Sequence, residues 1–172
     1  DTGQQLGNSA SCSIELGDLD SDGDLDAVLV YGVSSSPDTQ QASRVWINDG
    51  LGGFSDAGAP FPETGSRDVA LGDFDGDGDL DVVFAERDAS GTIWLNDGLA
   101  NFHESGKGLL DIGTRSIEVA DLNDDGAPDL IQSTDTGSVV IQLNDGDAGF
   151  GSQLQLPGDF TAAITMAVVD VD

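Results

Sequence analysis

The sequence predicts an all-β chain built of four-stranded antiparallel blades, a β-propeller architecture, on three observations. Asn48, Asn96 and Asn144 each open an Asn-Asp-Gly triplet, and they are spaced 48 residues apart. Between these landmarks lie short apolar, β-branched runs of strand length, with no stretch that reads as a helix. Asp-Gly turns separate the runs, as hairpins needing positive φ require. Four antiparallel strands per repeat make one propeller blade, and such blades close rings of ~4–8.

In the second repeat the strand-like segments are residues 68–72, 81–85, 92–95 and a looser 102–110. The early ones are nearly continuous in apolar residues, which suits strands covered on both faces. The acidic stretches opening at Asp18, Asp73 and Asp121 lie 55 and 48 residues apart. The extra seven residues of the first repeat fall in a polar insertion at 32–43. The expected blades are therefore 11–62, 63–110 and 111–160. Residues 1–10 match the end of a preceding blade and 161–172 the start of a further one. Three blades with partial strands at each end do not close a ring, so a second chain or a further segment is expected to complete it.

Each repeat also carries an acidic loop. Asp73-Phe-Asp-Gly-Asp-Gly-Asp-Leu-Asp81 places carboxylates at positions 1, 3, 5, 7 and 9 and glycine at position 6. Calcium takes ~6–8 oxygen ligands, mixing carboxylates with a backbone carbonyl. Asp73, Asp75, Asp77 and Asp81 would offer side-chain oxygens and Asp79 its carbonyl, with Gly78 allowing the turn. The pattern recurs at Asp18-Leu-Asp-Ser-Asp-Gly-Asp-Leu-Asp26 and, less acidic, at Asp121-Leu-Asn-Asp-Asp-Gly-Ala-Pro-Asp129; a fourth copy opens at Asp170. An acidic solvated turn is the plain alternative, but three copies with glycine in register argue for a metal loop. It is not an EF-hand, which needs a bidentate Glu at position 12 and flanking helices. Position 12 here is Leu29, Phe84 or Gln132, and strands follow.

Val69-Ala-Leu-Gly-Asp-Phe-Asp-Gly-Asp-Gly-Asp-Leu-Asp81, with Ile93-Trp-Leu-Asn-Asp-Gly98 after it, resembles the FG-GAP/VCBS-type repeats of integrin-alpha-like propellers. The resemblance covers almost the whole chain. It implies a seven-bladed ring with calcium held between the first and second strands of a blade. It also implies ligands at Asp18, Asp20, Asp22, Asp24 and Asp26, and at Asp73, Asp75, Asp77, Asp79 and Asp81. In the third copy they become Asp121, Asn123, Asp125, Ala127 through its carbonyl, and Asp129, about three ions in all.

Five basic residues against 33 acidic ones give a net charge of −28. Nucleic acid and anionic membranes are then poor partners, since both call for a cationic patch. No apolar run is long enough to span a membrane. Calcium loops fill best where the ion is plentiful, which points to an extracellular, cell-surface or periplasmic location. Cys12 is the single cysteine, so no intrachain disulfide forms, and a buried thiol is expected.

Alternating strand direction puts the acidic loops and the Asn-Asp-Gly turns on one face. The opposite face receives the insertion 32–43 and the repeated Ser66-Arg67 and Thr114-Arg115, which either contact an anionic ligand or pair with local acids. That face is the expected site for a protein or carbohydrate ligand. No catalytic constellation is visible. His103 has no partner histidine and reads as a surface residue, and Trp46 and Trp94 read as packing between blades more readily than as sugar platforms. The leading function is a calcium-binding module for binding or adhesion. The alternatives are a propeller domain of a secreted lyase or glycosidase, and a purely structural repeat.

Overall fold

A computed structural model describes residues 3–6, 11–31, 42–58, 61, 65–87, 90–109 and 113–156. Strand order follows chain order: β1 (Ser11–Gly17), β2 (Asp26–Tyr31), β3 (Arg44–Asn48), β4 (Phe54–Gly58), β5 (Ser66–Gly72), β6 (Asp81–Glu86), β7 (Thr92–Asn96), β8 (Phe102–Gly108), β9 (Thr114–Ala120), β10 (Asp129–Thr134), β11 (Val139–Asn144) and β12 (Phe150–Leu156). They form three antiparallel four-stranded sheets, β1–β4, β5–β8 and β9–β12, each in simple meander order. No helix occurs among the described residues. The all-β, blade-like architecture read from the sequence is thus the one observed. The expected strand in 161–172 and most of the insertion 32–43 lie outside the described residues. So does most of 1–10, and residues 3–6 form no strand.

The sheets pack through their first and second strands: β5 lies against β1 and β2, and β9 against β5 and β6. Both faces of β2 and β6 are buried along their whole length, β6 between two neighbouring sheets and β2 between the second sheet and its own sheet's side chains, which is why their sequences run apolar without alternation. Successive residues serve opposite faces. Val28 and Val30 face the second sheet, whereas Ala27, Leu29 and Tyr31 pack on the other side with Trp46, Phe54 and Leu6. In the second sheet Val82 and Phe84 meet the first, and Val83 and Ala85 meet the third.

Aromatic rings knit the first junction. Phe61 sits edge-on to Phe84 at 4.7 Å and to Trp94 at 5.5 Å, with Phe102 at 5.4 Å. Trp94 therefore packs between blades, and Trp46 packs on the far face of the first sheet. Cys12 departs from its expectation. It falls where the β1–β2 register shifts between Ser11 and Ser13, and the thiol is exposed. A bulge residue is released from the strand's alternation, so its apolar character does not bury it.

Candidate metal centre

Each acidic loop joins the first strand of a sheet to the second and folds back on its own first aspartate. Asp18 accepts hydrogen bonds from the backbone N–H of Asp22 (3.1 Å) and Gly23 (3.0 Å). Asp73 accepts from Gly76 (2.8 Å) and Gly78 (3.0 Å), and Asp121 from Asp125 (3.3 Å) and Gly126 (2.9 Å). The position-6 glycines, Gly23, Gly78 and Gly126, have φ of 93°, 98° and 89°, where a Cβ would be strained. Position 4 is left-handed as well, at Ser21, Gly76 and Asp124. Sequence reasoning missed that second requirement, although serine, glycine and aspartate tolerate such backbone better than branched residues do.

Two groups of carboxylates come together. Asp18, Asp20 and Asp22 have ligand oxygens within 4.8 Å of one another, and so do Asp73, Asp75 and Asp81. One oxygen of Asp20, Oδ1, is buried with no hydrogen-bond partner among the described residues. Burial, then repulsion from Asp26 and Asp22, raises the Asp20 carboxyl above the usual range, and burial followed by Asp77 does the same to Asp75. Burial pushes Asp81 up to about 6 despite hydrogen bonds from Asn96 and Phe74. Crowded oxygens whose charge is disfavoured make a donor set suited to a hard cation.

The remaining ligand candidates occupy distinct places. Asp24 and Asp79, at position 7, turn their carboxylates toward Gly50 and Gly98 of the following Asn-Asp-Gly turn; a Cβ on Gly98 would lie 2.6 Å from Asp79 Oδ2. Their side chains are directed to that turn, which fits position 7 offering a carbonyl. Asp26, Asp81 and Asp129, at position 9, are fully buried. Each accepts two backbone N–H bonds: Asp26 from Leu19 and Asn48, Asp81 from Phe74 and Asn96, Asp129 from Leu122 and Asn144, all at 2.8–2.9 Å. The third loop is different. Asn123 spends its amide on Asp125 (2.8 Å), and hydrogen bonding, led by Gly126, lowers the Asp121 carboxyl. Its acids do not gather as the others do.

A second polar group lies at the first strands. Asp68 of β5 accepts from Ser13 Oγ of β1 (2.6 Å) and from the Ile117 N–H of β9 (3.1 Å), tying three sheets together. Beside it Glu15 and Glu118 line a polar cavity with Arg67 and Arg115. Neither glutamate was singled out by the sequence, where they look like two acids among many. Arg67 and Arg115 both meet Asp135 in the β10–β11 turn, at 2.8 and 2.6 Å, so the arginines pair with a local acid that the sequence did not nominate. His103 is exposed on β8.

Burial, with repulsion from Asp68, holds Glu15 and Glu118 above the ordinary glutamate range. A carboxyl whose folded pKa is raised stabilises most below its unfolded value, near 4.5, and that contribution is lost as pH rises through the folded value. Glu118→Gln is therefore expected to raise the melting temperature at neutral pH and to change it little near pH 4. A lower melting temperature at neutral pH would show that the charged carboxylate is itself a stabilising partner.

Blades packed side by side, each with an acidic loop between its first two strands, define a repeat-built, β-propeller-like module. The profile of the FG-GAP-like repeat matches residues 18–84 and again 73–132, each match opening on the first aspartate of an acidic loop. The chain belongs to the FG-GAP-like repeat family. A comparison with curated proteins finds no match.

Proposed function

We propose that this chain is a calcium-stabilised propeller module of an extracellular, cell-surface or periplasmic protein, serving adhesion or ligand binding. The observation that carries the calcium reading is the gathering of unneutralised carboxylates in two loops, with a buried, unpartnered oxygen on Asp20. Bound calcium would supply the positive charge these oxygens lack. Asp18, Asp20 and Asp22 would hold one ion, and Asp73, Asp75 and Asp81 a second. Asp121, Asn123 and Asp125 form the weaker third site. Position 7 (Asp24, Asp79, Ala127) would add a carbonyl in each loop.

A ligand that binds only the folded state stabilises it by ~2.7 kcal/mol at a hundredfold excess over Kd. Excess chelator is therefore expected to lower the melting temperature by many degrees. Calcium should restore it and magnesium should do so poorly, because magnesium demands tight octahedral geometry. Identical melting curves in chelator and in calcium would overturn the reading.

The ligand, a protein or a carbohydrate, is assigned to the face away from the acidic loops. Two guanidiniums, Arg67 and Arg115, stand there beside the carboxylate of Asp135 and would offer donors to a carboxylate-bearing protein or sugar. From the sequence, the insertion 32–43, most of it outside the described residues, is expected on that face as well. A neighbouring blade, from another chain or a further segment, completes the ring.

One observation favours a second reading, a propeller domain of a carbohydrate-active enzyme. Glu15 and Glu118 are carboxyls of raised proton affinity that line one cavity with Asp68, Arg67 and Arg115, on the first strands rather than in the acidic loops. Turnover of a sugar polymer that is lost in Glu15→Gln would support it.

A further inference from the structure

The hydrogen bonds of the acidic loops do not stop at the edge of a sheet. The Leu19 carbonyl, at position 2 of the first loop, accepts from Asn96 Nδ2 (2.9 Å) and from the Ala100 N–H (2.9 Å), both in the second repeat. The Phe74 carbonyl, at position 2 of the second loop, accepts from Asn144 Nδ2 (2.9 Å) and the Ala148 N–H (2.8 Å), both in the third. The same two residues also donate through their own N–H groups: Leu19 to Asp26 and Phe74 to Asp81. The asparagines close the connection, since the N–H of Asn96 donates to Asp81 and that of Asn144 to Asp129, each at 2.9 Å. One line of bonds thus runs from Asp26 through Leu19, Asn96, Asp81, Phe74 and Asn144 to Asp129.

Backbone conformation points the same way. Ala100 and Ala148 have φ of 57° and 53°, a region costly for any residue with a Cβ. The matching residue of the first repeat is Gly52, at 88°. The two alanines hold this conformation where their N–H groups reach the preceding loop and their methyls join the clusters between sheets.

We propose that the first and second acidic loops are each held in binding shape by the asparagine of the following repeat, so that the three loops are coupled in chain order. Asn96 is the positioning residue of the first loop and Asn144 of the second. This rests on the calcium reading above. A residue bonded through both its N–H and its carbonyl is fixed before an ion arrives, and the free energy of coupling is reciprocal: filling a loop tightens the junction to the next blade.

The test is calcium titration of the full chain followed by amide NMR at Gly23, Gly78 and Gly126. Their N–H groups donate to the first aspartate of the three loops in turn. In Asn144→Ala the midpoint at Gly78 is expected to rise about five- to tenfold, the loss of one hydrogen bond. The midpoint at Gly126, in the mutated repeat's own loop, should move less than about twofold by the same measure. Asn96→Ala should weaken the response at Gly23 and Gly78, since its amide also reaches the Leu80 carbonyl at 3.1 Å, and spare Gly126. A change centred on Gly126 in Asn144→Ala, or equal changes at all three glycines, would overturn the coupling. So would no change at Gly78.

Should Asn144→Ala not fold, exchange of the Ala148 amide decides instead. Calcium is expected to slow it in the parent chain and not in Asp73→Asn, while the Ala100 amide stays calcium-protected in both. Equal protection of Ala148 in both would overturn the coupling. If none of the three glycines in the parent chain responds to calcium, the calcium reading itself falls, and the coupling with it.

Discussion

Asp81→Ala is expected to cost about 2–6 kcal/mol, in chelator as well as in calcium, because it orphans two buried donors at about 1–3 kcal/mol each. Those donors are the N–H groups of Phe74 and Asn96, and Asp81 is their shared acceptor at the base of the second loop. The side chain is fully buried, so water cannot replace it without opening the sheet. Asp75→Asn is the informative contrast. Asp75 is crowded by Asp77 and Asp73, so removing its charge should leave the metal-free protein as stable or slightly more so. The increment added by calcium should shrink instead. Melting both variants with and without chelator separates the two roles; a loss confined to the calcium-loaded state in Asp81→Ala would show that its hydrogen bonds contribute little.

Phe61→Ala should be comparably severe, at about 3–5 kcal/mol for an aromatic removed from a packed core. Phe61 touches Phe84, Trp94 and Phe102 across the junction of the first and second sheets and is almost wholly buried. The cavity opens beside the Trp94 indole, so a shifted emission maximum should accompany the lower melting temperature. Undisturbed fluorescence with an unchanged melting temperature would contradict this packing. The junction of the second and third sheets is built differently. Gln132 and Gln142 stand at the repeat positions of Phe84 and Trp94, buried, and Gln142 Oε1 has no partner among the described residues. Amides in place of aromatic rings contribute less on burial, so amide exchange should show the third sheet opening before the first two.

The acidic loops were legible in the sequence because nothing else in a folded core calls for carboxylates at every second position around a glycine. Strands were legible for a related reason: β2 and β6 are buried on both faces and therefore run apolar. Strand beginnings were less so. Ser66 and Arg67 start β5 two residues before the segment 68–72 read from the sequence, because pairing of Ser66 with Glu86 extends past it. Asn96 could be read as part of a turn, but its bond to a carbonyl 77 residues earlier could not, since local pattern carries no record of which loop a blade will meet. Asp68 and Asp135 were hidden by abundance. In a chain this acidic, the carboxylate that bridges three strands looks like its neighbours until the strands are placed.

The flanks of the array are unlike. Ile14, Leu16 and Leu25 on the first sheet are 52%, 53% and 56% exposed, and they occupy the repeat positions at which Val69, Leu71 and Leu80 press the second sheet against the first. On the third sheet Leu122 is 42% exposed, at the position where Phe74 is sealed between sheets. The two flanks thus carry different surfaces, each matching the other's repeat positions rather than its own. A further blade of this kind packed on either would face the same way round as the blades already there, and such head-to-tail contacts make rings when the rotation closes and screws when it does not.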